Sequence, residues 1–229
     1  MAVRWFPELL RVRTATGAEE APAPAAKPEA KAEPKDGACK VEDLGLIRGL
    51  DLPRGLEKPV LVYFHWPHED GDRGRRVVKF CNGPLDDEAF VRVTPLFHCV
   101  EVNTRDSDAN LVEESRVRAT PTLLVCRPDG SVVWRSEDTG ITGKVLAGVL
   151  KKVLKDRLPE AWAGIEKEMA AQKASVAEAR RLFAEGKTED AMMAVNLVVN
   201  SDVRFTDEWA ESVKVLREQE RKAKDESKK

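Results

Sequence analysis

Residues 119–135 read ATPTLLVCRPDGSVVWR, and the fold turns on how they are taken. Pro121 opens an apolar run through Cys126 that is too short for a helix and bounded by turn residues, the signature of a buried strand. Pro128, Asp129 and Gly130 supply the turn: proline presets one φ, aspartate bonds its own backbone, and glycine accepts positive φ. Ser131 to Arg135 then completes a hairpin. A two-stranded hairpin is at best marginal in water, so further strands are required to cover these apolar side chains.

They are found upstream. Pro59 to Phe64 (PVLVYF) is a continuous apolar run, as expected of a strand buried on both faces. Leu96 to Asn103 (LFHCVEVN) reads as another. Between them, 72–82 and 86–94 suit helices, with Asp86, Asp87 and Glu88 at a helix N-terminus where acids complement the dipole. Asp108 is placed to cap a helix running to Val117, and VEDLGLIRGL has the spacing of a short helix. Downstream, Thr142 caps a helix over 143–157, in which Val145, Leu146, Val149, Leu150, Val153 and Leu154 recur at helical spacing. The order βαβαββα predicts an α/β fold: a mixed sheet flanked by helices on both faces, over residues 40–157.

Beyond Pro159 every signal is helical, giving an all-α C-terminal extension over 158–224. ASVAEARRLFAEGKTEDAMMAVNLVV reads as a helix stopped at Gly186 and a second capped by Thr188, with Met192, Met193, Leu197 and Val198 expected in the core. A third helix spans about 206–224, starting at Thr206-Asp-Glu208. At the other end, residues 15–38 are Ala, Pro, Lys and Glu almost throughout and contain no Leu, Ile, Val or aromatic residue. Such a stretch buries too little to offset its chain entropy and is expected to be a disordered linker. It would tether residues 1–14, whose Trp5, Phe6, Leu9 and Leu10 among three arginines suit a short docking peptide; an end segment folded back on the domain is the alternative.

The 229 residues carry a net charge of −2, which provides no global basic field for nucleic acid or an anionic membrane. No apolar run is long enough for a membrane span or a secretory signal, so a cytoplasmic location is expected. The four cysteines, Cys39, Cys81, Cys99 and Cys126, show no zinc-type or CxxC spacing and are read as free thiols.

The middle of the chain, about 42–157, resembles the thioredoxin-like family. KPVLVYFHW resembles the strand leading into that family's redox corner, ATPTLLVCRPDGSVVWR its Thr-Pro strand, turn and next strand, and ITGKVLAGVL its closing helix. The resemblance implies a cis peptide bond before Pro121. It also places the family's cysteine pair in the window Glu69-Asp70-Gly71-Asp72, where carboxylates stand instead. Carboxylates neither attack nor resolve a disulfide. Separately, ARRLFAEGKTEDAMMAV resembles a single tetratricopeptide-type helical hairpin.

The expected function is therefore a redox-inactive thioredoxin-like protein acting as an interaction or scaffold module. It would need no cofactor, and its partner would be another protein. Its binding surface would be the corner His65, Trp66, Pro67, His68, Glu69 and Asp72 with Thr120 and Pro121. Trp66 either anchors a partner or packs against the Pro121 loop. Two alternatives stay open. Cys81 as a lone nucleophile requires an exposed, acidic thiol helped by Arg75, Arg76 or Lys79. A divalent metal could be held by His65, His68 and Glu69. The acids equally suit the capping of a helix N-terminus, and that reading ranks above metal.

Overall fold

The computed structural model describes residues 47, 50, 52, 53, 55–65, 72–105 and 109–226. The docking peptide, the linker, and the corner residues Trp66, Pro67, His68, Glu69 and Asp70 lie outside them, as does Cys39.

Four strands form one sheet: β1 (Val60–His65), β2 (His98–Asn103), β3 (Thr122–Cys126) and β4 (Val132–Ser136). Their order is β2-β1-β3-β4. β1 runs parallel to β2 and antiparallel to β3, and β3 is antiparallel to β4, so the sheet is mixed. Because successive side chains alternate faces, β1 feeds two cores. Leu61 and Tyr63 point into one with Phe80, Phe90, Leu146, Leu150 and Leu154. Val60, Val62 and Phe64 point into the other with Ile47, Leu50 and Leu111. All six β1 residues are buried, as an apolar run without alternation requires.

Around the sheet lie α1 (Asp72–Cys81), α2 (Glu88–Val93), α3 (Ala109–Glu114) and α4 (Gly143–Arg157). Asp87 caps α2, its side chain accepting from the Ala89 amide at 2.8 Å. Thr142 caps α4 by accepting from the Val145 amide. The second strand starts two residues later than the apolar run suggests, at His98. Pro95 sets up a 3₁₀ turn over Thr94–Leu96 instead, closed by the Phe97 amide bonding to Thr94 O.

The C-terminal chain is α5 (Pro159–Ala184), α6 (Thr188–Val199) and α7 (Asp207–Glu226). Leu158, preceding a proline, leaves the helical region and ends α4, while Pro159 occupies the first turn of α5. Gly186, at φ +77°, ends α5. The Lys187 amide bonds to Leu182 O and the Gly186 amide to Phe183 O, the paired bonds of a Schellman turn. Thr188 does not cap α6: Lys187 holds the cap position with no side-chain bond, because the turn delivers the chain straight into the helix. Among the described residues, no helix is long and apolar enough to cross a membrane.

The extension packs on the α/β part, since Leu158, Ile165 and Val203 belong to the same core as Leu61 and Tyr63. Inside it, α6 buries Ala191, Val195 and Val198 towards its neighbours, and Val198 meets Val176 of α5 and Trp209 of α7. That leaves Met193 and Leu197 on the opposite side of the helix, 61% and 70% exposed, rather than in the core. Gln172 of α5 ties down the α6–α7 connection. Its Nε2 donates to Ser201 Oγ (2.9 Å) and Val203 O (2.7 Å), and its Oε1 accepts from Thr206 Oγ1 (2.6 Å).

Candidate functional site

Strand register assembles the corner. Phe64 pairs with Thr122 and His65 with Asn103, so the next step along the β1–β3 ladder sets His65 against Pro121. The ends of β1 and β2 and the start of β3 therefore meet at one edge of the sheet. Thr104 reinforces the junction: its amide and its hydroxyl both donate to His65 O, at 2.9 and 3.1 Å. The peptide bond between Thr120 and Pro121 is cis. Thus His65, Thr120 and Pro121 are brought together, and Asp72 begins α1; the remaining corner residues lie outside the described ones.

Beneath the corner is a polar chain set into the apolar core. The His65 ring stacks on Tyr63 with centroids 5.2 Å apart and planes 7° from parallel. His65 Nε2 lies 2.8 Å from Glu101 Oε1, an ion pair when the imidazole is protonated. Tyr63, 2% exposed, places its hydroxyl 3.1 Å from Cys81 Sγ. Alternation explains the set: Tyr63 and His65 share a face of β1, Glu101 stands beside Tyr63 on β2, and Cys81 ends α1 over that face. A buried polar group is costly unless bonded, and each of these has a neighbour to bond or stack on.

The chemistry of this cluster runs against a lone nucleophile. Burial pushes the Cys81 thiol above its ordinary range; the Tyr63 bond opposes this and the charge of Glu101 adds to it. Arg75, Arg76 and Lys79 are exposed and do not contribute to that balance. The thiol therefore stays protonated at neutral pH, and a thiol is a weak nucleophile. Burial, with Cys81 and Glu101 adding to it, also raises the Tyr63 phenol. Cys99 and Cys126 are pushed up to about 12 by burial. For metal, His65 already has Glu101 against its Nε2, while His68 and Glu69 fall outside the described residues. Among the described residues there is no group of three or more His, Cys, Asp or Glu placed to hold an ion.

Sequence reasoning passed over Tyr63 and Glu101. The signal was present, since an acid in the middle of LFHCVEVN has to find a partner when the strand is buried. No protein-family model and no curated protein matches this chain.

Proposed function

We propose that this chain is a thioredoxin-like protein that keeps the fold without the thiol chemistry and serves as a protein-interaction module. The observation that carries the reading is the placement of Cys81. It is the first cysteine after the Glu69–Asp72 window, and its Sγ lies against the Tyr63 hydroxyl with its thiol raised. Further support comes from the mixed sheet, with its parallel and antiparallel neighbours on β1, and from the cis Thr120–Pro121 bond beside the end of β1. The window where the family carries its cysteine pair holds Glu69, Asp70, Gly71 and Asp72. The corner, the helical extension and residues 1–14 are then its working surfaces.

The test is reduction of insulin disulfides by dithiothreitol, with the intact chain and its Cys81→Ser variant side by side. The expected result is no rate above dithiothreitol alone for either protein. A rate that the intact chain has and the variant lacks would establish a one-cysteine oxidoreductase and overturn the proposal.

A further inference from the structure

Beside the corner lies an open hollow of about 630 Å³. Its lining includes Val112 and Val117, both half-buried, and Arg105, Arg116 and Arg118, all exposed. Glu113 is the acid among the lining residues. We propose that this hollow binds an acidic peptide segment of a partner protein, with carboxylates on the arginines and an apolar side chain against the valines. The inference rests on the interaction-module reading above and names the chemistry of the partner.

Three observations carry it. The arginines come from separate chain crossings: Arg105 follows β2, whereas Arg116 and Arg118 follow α3. A favourable cation at a helix C-terminus accounts for Arg116 and Arg118 but not for Arg105 converging on them. Next, Arg105 and Arg118 have no partner for their guanidinium groups among the described residues. No ion pair to a described residue has to be broken before either takes a carboxylate, which a guanidinium binds through two parallel N–H donors.

Finally, Arg116 sits at φ +50°. Its amide bonds to Glu113 O and the Val117 amide to Val112 O, so Arg116 occupies the left-handed position of a Schellman turn, where glycine is the unstrained residue. Gly186 fills the same position after α5. A non-glycine residue held there at a cost points to a use for its side chain.

A peptide fits better than nucleic acid. The net charge of −2 provides no long-range attraction for a polyanion, and among the described residues that line the hollow there are two valines and no aromatic ring for base stacking. Arg118 leads directly through Ala119, exposed, to Thr120 at the corner, so a chain seated in the hollow continues onto the surface already singled out.

The test measures fluorescence anisotropy of a labelled hexapeptide of glutamate and leucine titrated with the full chain. The same peptide with glutamine for glutamate, inorganic phosphate and a single-stranded oligonucleotide serve as comparisons. Binding of the acidic peptide is expected to weaken about tenfold for each of Arg105→Ala and Arg118→Ala, the worth of one charged hydrogen bond, and to weaken with added salt. Arg116→Gly is expected to lower affinity while leaving the melting temperature at or above that of the parent, an outcome a purely structural arginine would not produce.

Equal binding of the glutamine peptide, or indifference to the arginine substitutions, overturns the inference. So does displacement by equimolar phosphate, which assigns a small-oxyanion site, or tighter binding of the oligonucleotide. Insulin reduction by the intact chain removes the module reading whatever the peptide does. A silent reductase that fails to bind the peptide removes only this inference.

Discussion

Replacing Gln172 by leucine tests how the helical extension is held. Gln172 is 2% exposed and its amide makes three hydrogen bonds to the segment between α6 and α7. Leucine fits the volume and keeps the helix, so the change isolates the polar contacts. Their loss is uneven. Ser201 Oγ still accepts from the Val203 amide, and Thr206 Oγ1 still accepts from the Trp209 amide. Val203 O loses its donor and the Thr206 hydroxyl loses its acceptor, so two buried groups are stranded. Each stranded group costs about 1–3 kcal/mol, while the leucine recovers some transfer energy; the net expectation is a loss of about 3 kcal/mol. For a chain of this size that corresponds to a drop of roughly 6–12 °C in melting temperature. Urea unfolding followed by far-ultraviolet circular dichroism measures it directly. The same segment carries Val203, which enters the main core, and Asp202, whose carboxylate meets Lys58 Nζ at 2.6 Å. Loosening it should therefore destabilise the α/β part as well, in one cooperative transition. A loss below about 1 kcal/mol would refute the reasoning, because the two stranded groups would then have found other partners.

Two glycines of α4 should respond oppositely to alanine. A Cβ on Gly143 would lie 2.0 Å from Asp87 Cβ and 2.6 Å from Pro84 O, so Gly143→Ala should destabilise by about 3 kcal/mol or more through overpacking and damage to the α2 cap. Gly148 has open space at that position, so Gly148→Ala should stabilise by about 0.5–1 kcal/mol; thermal unfolding of both variants checks the pair. Alkylation of Cys81 across a pH series should show the raised thiol. Folding favours its protonated form, so at any pH its thiolate fraction lies below that of a free cysteine, and the rate rises only on the alkaline side. Tyr63→Phe removes a bond that lowers the thiol pKa, so it should move that profile further to alkaline pH; a shift the other way would count against the assigned hydrogen bond.

Much of the fold was legible along the chain because the deciding signals are local. The PVLVYF run, the Pro128-Asp129-Gly130 turn, the Thr142 cap and the Gly186 stop each act within a few residues of where they stand, and each element formed close to its expected bounds. Local patterns misled where a neighbour in space decided. Met193 and Leu197 lie within an apolar stretch and still face outward, because α6 packs its Ala191, Val195 and Val198 side on α5 and α7. In the same way, Ile165 and Val203 of the helical extension join the core of the sheet, a contact between distant parts of the chain.

The sequence by itself determined the α/β class, the order of the elements, the helical C-terminal part and the lack of a cysteine pair at the corner. Those follow from periodicity, turn chemistry and residue identity, which are properties of neighbours in the chain. Only the tertiary structure decided that Cys81 meets Tyr63, that His65 meets Glu101, and that Arg105 converges with Arg116 and Arg118. Strand register and helix packing bring together residues from distant parts of the chain, and the burial they create sets whether a thiol or a guanidinium is quiet or available.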